Sequence, residues 1–299
     1  MQRSIYASLL ALSLIWGGSF FFIKILLEDF GPLGIAFMRA VFGFLFITAF
    51  MLVMRKPFGL RQIPWVPALS IAIVNMSMPW ALIAYSETRL ASSLASVLNA
   101  TTPLWTMLVG LLFFGAVFTR VQWAGMSVAF IGIVVLIGLT PNATMSVDLY
   151  GAILMIFATL CYAVGSQLTK RFLNGLSVYQ MTFSSLLGGM LGSGLLAFSL
   201  EEVPLQAVFR LPAFGSLIGL GLLGSGVAYI LFNHILRNGS PELATSVTYL
   251  IPATAMIWGY TLLDEPIGWN LGAGLVLILG GVFLASRNIG RDKLGQKQA

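Results

Sequence analysis

The chain has 299 residues, 58% of them hydrophobic and 9% charged, with a net charge of +6 and a mean hydropathy of +0.94. A soluble domain is about one quarter charged, so 16 basic and 10 acidic side chains cannot cover a water-facing surface of this size, and the composition specifies an integral membrane protein. The basic excess forms no stripe with interleaved aromatics, which excludes nucleic acid as a partner; it gathers in short connectors, RKPFGLR (55–61), TKR (169–171) and RNIGRDKLGQK (287–297).

A bilayer span takes ~20 mainly apolar residues, and ten segments qualify. The first, 5–27, follows MQRS. It is too long for a signal-peptide core and is closed by no small-residue cleavage site, so it reads as a span. It carries Trp16 at mid-span and Lys24 near its end, where a lysine is expected to snorkel. The second, 33–54, contains Arg39, and an intramembrane charge is a functional candidate by default. Glu28, Asp29 and Glu87 are its expected partners in a gating or structural ion pair, with contact to a substrate carboxylate as the competing reading. The third span, 65–85, holds Trp80 and leads to Glu87.

The fourth, 90–114, contains SVLNATTPLW. Ser92, Ser96, Asn99, Pro103 and Thr106 recur at helical spacing and form one polar stripe, with Thr102 beside it. An amide in hydrocarbon is costly, so this face must meet protein or water. Pro103 removes a backbone hydrogen bond and is expected to free the carbonyl of Asn99 for a ligand. The fifth span, 121–139, carries Gly125 and Gly132, and the sixth, 149–168, carries Tyr162 beside Cys161, whose solitude rules out an intramolecular disulfide. The seventh, 178–200, has Gly188 and Gly192, small residues suited to close helix contact.

The eighth, 213–236, has Tyr229 and the one histidine, His234, which reads as a satisfied interfacial side chain or a proton site. SPE at 240–242 reads as a helix N-cap with Pro at its first position. The ninth, 243–263, repeats the scheme of the fourth with Thr245, Thr248 and Pro252, flanked by Tyr249. The tenth is 268–286, with Gly274 and Gly281.

Orientation follows from the Lys/Arg bias. With the N-terminus cytoplasmic, one face receives Arg3, Arg55, Lys56, Arg61, Arg120, Lys170, Arg171, Arg237 and the four basic residues of the tail. The other receives Arg89 and Arg210 together with most of the acids, so both termini are expected in the cytoplasm.

The halves also match each other. A shift of 149 sets Leu94 over Leu243, Ala95 over Ala244, Pro103 over Pro252, Gly125 over Gly274, Gly132 over Gly281 and Trp80 over Tyr229; a shift of 146 sets Trp16 over Tyr162 and Lys24 over Lys170. Five spans per half is an odd number, so the second half enters from the opposite side. The expected fold is an all-α integral membrane protein of ten transmembrane helices in two inverted-topology five-helix repeats, 1–140 and 149–287, followed by a basic cytoplasmic tail, 288–299. Secondary transporters use this architecture, with substrate held near the midplane between repeats.

SLIWGGSFFFIK in the first span, GPLGIAFMRAVFGFL across the second, ending its motif at Arg39, and ELATSVTYLIPATAMIWGYTLLDEPIGW, running to Glu265, together resemble the EamA-type drug/metabolite transporter superfamily over nearly the whole chain. The resemblance implies a bacterial inner-membrane exporter of amino acids, including aromatic ones, or of other small metabolites.

On the residues themselves, the substrate-binding candidates are Asn99, Thr102, Pro103, Trp16, Tyr162, Trp80, Tyr229, Thr248, Tyr249 and Pro252, with ordinary helix packing as the competing account for the aromatics; Arg39, Glu87 and His234 are the gating or ion-pair candidates. An aromatic-lined pocket suits an apolar or aromatic side chain. A polytopic enzyme is excluded by one histidine and no deep carboxylates, and ATP coupling within this chain by the lack of a phosphate-binding G-x-x-x-x-G-K-[ST] loop. No metal, cofactor or nucleic acid is implied; the partners are a small-molecule substrate and the lipid bilayer, and the chain is expected to work as a monomer. The runner-up, a multidrug or organic-cation exporter, would need a buried carboxylate in its pocket. Proton antiport and facilitated diffusion both stay open.

Overall fold

A computed structural model describes residues 2–90, 92–137, 148–263 and 269–286, so Glu265, the 138–147 connector and the tail lie outside the described residues. Every regular element among the described residues is helical. In the first half these are α1 (Gln2–Leu26), α2 (Pro32–Val53), α3 (Trp65–Ala72), α4 (Met78–Glu87), α5 (Ser92–Asn99), α6 (Thr102–Phe114) and α7 (Arg120–Ile137). The second contains α8 (Leu149–Phe172), α9 (Val178–Leu200), α10 (Leu211–Leu217), α11 (Ala228–Asn238), α12 (Pro241–Thr245), α13 (Ile251–Leu263) and α14 (Trp269–Ser286). Seven continuous stretches are long and apolar enough to cross a membrane: Ile5–Leu26, Pro32–Val53, Trp65–Glu87, Leu94–Phe114, Leu149–Phe172, Val178–Leu200 and Leu211–Asn238. Arg120–Val135 and Gly272–Ala285 are shorter apolar helices.

Four irregularities break this regularity, and they fall at matched places. Wide π-helical turns join α3 to α4 at Ile73–Ser77 and α10 to α11 at Ile218–Val227. The helix of the polar stripe stops at Asn99 and restarts at Thr102, with Pro103 in the new first turn; in the second half a tight 3-10 turn, Ser246–Tyr249, precedes α13, again with Pro252 in its first turn. The two prolines therefore start helices rather than kink them, because a first-turn N–H has no intrahelical acceptor to lose.

Lipid-facing and core-facing surfaces separate as expected for helices that are apolar all round. Leu45, Leu112, Phe113, Leu195 and Phe283 are exposed on the rim, whereas Arg39, Asn75, Ser77, Asn99 and Thr248 are buried. One apolar core contains Leu12, Ala36, Met76, Trp80, Tyr229 and Phe232; a second contains Phe20, Ile23, Ile83, Ala158 and Ile251; Trp16 and Tyr162 pack against both. Close helix contacts follow the glycines. A Cβ on Gly125 would stand 2.5 Å from the backbone nitrogen of Ala285, and one on Gly188 would stand 2.5 Å from the Ala72 Cβ, so α7 meets α14, and α9 meets α3, through bare backbone.

The end of the bundle where α4 finishes collects charge. Asp29 pairs with Arg210, and Arg89 donates to Asp148 at 3.1 Å. Glu201 accepts the backbone N–H groups of Leu33 and Gly34 at the start of α2, as well as the Tyr85 hydroxyl at 3.0 Å. Asp148 caps α8 by accepting the Gly151 N–H at 2.9 Å, and together with Arg89 this holds its carboxyl below the usual aspartate range. Since Ser86 donates to the Gly151 carbonyl at 2.8 Å, α8 begins at the end where α1 and α4 finish, and α1 and α8 run in opposite directions.

Candidate functional site

The cavity lies between the two cores, and seven of the ten substrate-binding candidates meet there: Trp16, Trp80, Asn99, Thr102, Tyr162, Tyr229 and Thr248. It leaves about 50 Å³ for the centres of water-sized molecules, several times the ~10–15 Å³ that one water needs. Pro103, Tyr249 and Pro252 do not line it. Tyr249 packs against α7 and α14 with Val97, Met126 and Ile278, and its hydroxyl is buried without a partner among the described residues. The prolines position the site by starting α6 and α13. The lining also includes Ser19, Phe20, Ile23, Arg39, Asn75, Ile83, Phe232, Thr245 and Ile251.

The aromatic residues form a connected box. Tyr229 is edge-on to both Trp16 (5.9 Å between ring centroids, 66°) and Trp80 (5.8 Å, 79°), and Phe232 closes against Trp16 at 5.6 Å. The π-helical turns fix its orientation. Their wider winding leaves carbonyls available to side chains, and Trp16 Nε1 donates to the Gly224 carbonyl at 2.9 Å while the Tyr229 hydroxyl donates to the Asn75 carbonyl at 3.3 Å. One carbonyl comes from each π turn.

The polar equipment is sparse. Arg39 is 5% exposed, its guanidinium carbon lies 4.0 Å over the Trp80 ring, and its Nε donates to the Ser225 hydroxyl at 3.2 Å; Ser225 in turn donates to the Leu220 carbonyl. The ion pair expected for Arg39 with Glu28, Asp29 or Glu87 does not form: no carboxylate among the described residues comes within 4.0 Å of it, and Asp29 is taken by Arg210. Arg39 lines the cavity with its guanidinium held by an indole and a neutral hydroxyl. Asn99 Oδ1 is buried and accepts no hydrogen bond among the described residues. Its backbone carbonyl, expected to be free, instead accepts from the Thr102 hydroxyl at 2.6 Å, and the Thr248 hydroxyl likewise turns back on the Thr245 carbonyl at 2.8 Å. The carbonyls of Asn99 and Thr245 are therefore both taken by side-chain hydroxyls.

The other nominated charges are elsewhere. Glu87 is fully buried at the C-terminal end of α4, one helical turn beyond Ile83; its Oε2 accepts from Ser92 at 3.1 Å and its Oε1 has no partner among the described residues. His234 stands beside Asn238, whose side-chain amide reaches its ring nitrogen at 3.2 Å and its carbonyl at 2.8 Å. Lys24 and Lys170, expected to snorkel, both end on main-chain carbonyls. Lys24 Nζ donates to the carbonyls of Glu87 (2.5 Å) and Leu90 (2.9 Å), and Lys170 Nζ to those of Leu236, Arg237 and Gly239. The expected cap at Ser240 is present, accepting the Leu243 N–H at 3.2 Å.

Sequence reasoning favoured an ion pair for Arg39, with substrate contact as the competing reading, and missed Asn75 altogether. Helical spacing ranks faces within one helix, and the fact that α2 turns Arg39 toward the third span's Trp80 is a property of the packed bundle. Asn75 did carry a signal, a lone amide within an apolar segment.

Among known proteins, the chain is 28% identical over 270 residues, 88% of its length and 84% of the relative's, to YedA, an uncharacterized inner membrane transporter of Escherichia coli (strain K12). It is 24% identical over 300 residues, covering 98% of this chain and 97% of the other, to a probable terminal-alkyne amino-acid exporter of Streptantibioticus cattleyicolor. A solved crystal structure shares the fold with a TM-score of 0.78 at 17% identity, over 97% of this chain and 99% of that one. The EamA-like transporter family matches residues 3–138 and again 149–287. An all-helical, lipid-exposed bundle closed around a small polar and aromatic cavity accords with that match, and the chain belongs to the EamA-like transporter family: it is a membrane transporter and not an enzyme.

Proposed function

We propose that this transporter is a secondary exporter of small amino acids and related zwitterions, aromatic ones included, working by alternating access around the cavity. The observation that carries the reading is Arg39, a cation held inside an aromatic box with no acid against it. A substrate carboxylate supplies the missing partner through paired N–H···O bonds. Asn99 Oδ1, buried and unpartnered, would accept from the substrate ammonium, and Trp16, Trp80, Tyr229 and Phe232 would enclose its side chain. The relative named as a probable amino-acid exporter supports the same class.

The architecture we propose is ten spans in two inverted five-helix halves, 1–140 and 149–287, in a bacterial inner membrane, with both termini cytoplasmic and one chain sufficing for transport. Three features support it: the two family matches, the opposed directions of α1 and α8, and the equivalent positions of the π turns and helix restarts at a separation of 149. In such repeats the substrate site lies where broken helices of the two halves meet.

The test is counterflow of radiolabelled amino acids in proteoliposomes. Saturable exchange of phenylalanine or tyrosine, absent in Arg39→Ala, is the expected result. Flux of organic cations with none of any amino acid would overturn the proposal in favour of a multidrug exporter, although no carboxylate among the described residues lines the cavity.

A further inference from the structure

Two lysines hold opposite ends of the cavity in the same way. Near the end of α1, Lys24 Nζ donates to the carbonyls of Glu87, the last residue of α4, and of Leu90, in the turn that follows α4 and precedes α5. Near the end of α8, Lys170 Nζ donates to the carbonyls of Leu236 and Arg237, in the last turn of α11, and of Gly239, in the turn that leads on to α12. The two turns occupy corresponding places in the two halves, and each connects helices that line the cavity. α4 brings Trp80 and Ile83 and α5 brings Asn99; α11 brings Tyr229 and Phe232 and α12 brings Thr245.

The two contacts are at opposite faces of the bundle. Gly151 of α8 is bonded to Ser86, at the Lys24 end. Lys170 follows Gly151 by 19 residues on the same helix (170 − 151), a rise of about 28 Å at ~1.5 Å per residue.

Glu87, Leu236 and Arg237 offer terminal carbonyls of helices, groups that have no N–H of their own helix to bind and that carry the negative end of the helix dipole, and Leu90 and Gly239 add carbonyls of the adjoining turns. An ammonium among two or three of them makes charge-assisted bonds, stronger than neutral ones. It ties the turn, and with it both helices that the turn joins, to the first long helix of the same half. At the Lys24 end Ile83 of α4 shares a core cluster with Phe20 and Ile23, which precede Lys24 on α1. These apolar groups line the cavity on the side of Lys24.

We infer that Lys24 and Lys170 are positioning residues for transport, each clamping a pair of pocket helices so that one end of the cavity stays shut. Release of Lys24 frees the α4–α5 pair to swing from α1 and opens the face at which α4 ends. Release of Lys170 frees the α11–α12 pair and opens the other face. The inference rests on the alternating-access reading above and adds the devices that set its sidedness.

The test places a reporter thiol in the cavity, Ser19→Cys with the native thiol removed by Cys161→Ser, and measures its reaction with a charged, membrane-impermeant maleimide added from either side of oriented membrane vesicles. Lys24→Met is expected to raise the labelling rate on the order of tenfold from the α4-end face alone, the factor that corresponds to about one charge-assisted hydrogen bond. Lys170→Met should raise it to a similar degree from the opposite face alone. Lys→Arg at either place keeps the donors and should return the rates toward the parent's; if a Met variant does not accumulate, Lys→Gln, too short to span both carbonyls, gives the same reading. Equal changes at both faces, or none, overturn the clamp assignment, since loosened packing has no side preference. A parent reporter that reacts from one face only, with substrate and without it, overturns alternating access itself and so separates the two failures.

Discussion

The guanidinium of Arg39 lies 4.0 Å over the indole of Trp80, on a helix that follows a π turn, and the two side chains form one surface of the cavity. A cation over an indole contributes about 0.5–2 kcal/mol, and here the stacking also fixes the plane in which the guanidinium presents its N–H groups. Arg39→Lys keeps the charge and loses that plane. The expected result is a KM for phenylalanine raised about tenfold, with Arg39→Ala worse and Trp80→Leu intermediate, read by concentration-dependent counterflow.

Asn99→Asp would place a carboxylate in the same cavity as Arg39. The new acid competes with the substrate carboxylate for the guanidinium, so amino-acid affinity should fall by at least about tenfold. Organic cations, which meet no carboxylate among the described residues that line the parent cavity, should become competitors. Competition by a quaternary ammonium in the variant and not in the parent is the readout; an unchanged profile would place Asn99 outside the binding face.

Gly125 has no room for a side chain, since a Cβ there would stand 2.5 Å from the Ala285 nitrogen and 2.7 Å from the Gly281 carbonyl oxygen. Gly125→Val must push α7 from α14. A cost of about 1–3 kcal/mol is typical of overpacking, to be seen as a lowered Tm of the detergent-solubilised protein, while Gly115→Ala, at a site with nothing within 4 Å but with φ of 65°, acts through backbone strain alone.

Acid should weaken the start of α8. Asp148 is held below the ordinary carboxylate range first by the Gly151 N–H and then by Arg89. A depressed folded-state value means that the stabilisation is present above the ordinary range, ~3.9, and is lost as pH falls through the folded value. Asp148→Ala is therefore expected to lower Tm by a few degrees (about 2–4) at pH 7, and the gap to the parent should close progressively on acidification below about pH 4. A gap independent of pH would mean that the cap bond does not depend on the ionised carboxylate.

The polar stripe on the fourth span was legible because an amide and several hydroxyls at helical spacing in an apolar segment have one plausible destination, the protein interior. Asn99 and Thr102 reached the cavity as read. Trp16, Trp80, Tyr162 and Tyr229 were legible through the internal match, which set them at corresponding places near mid-span. Pro103 and Pro252 were misread in detail because a proline looks the same in a kink and in a first turn, and only the chain break before it tells them apart. Arg39 and the two lysines were assigned to generic acids and to the interface since sequence lists possible partners and packing chooses among them. The π turns left no readable mark at all: an extra residue in one turn changes which carbonyls are free without changing composition.

Those turns have a consequence for how such a pocket can diversify. The aromatic box is oriented by the main chain, with Trp16 on the Gly224 carbonyl and Tyr229 on the Asn75 carbonyl. Every residue has a carbonyl, so neighbouring side chains can be exchanged without untethering the rings. Neither of those two main-chain tethers involves Arg39 or Asn99, so changing those two alone would re-address the same enclosure to a ligand of different charge.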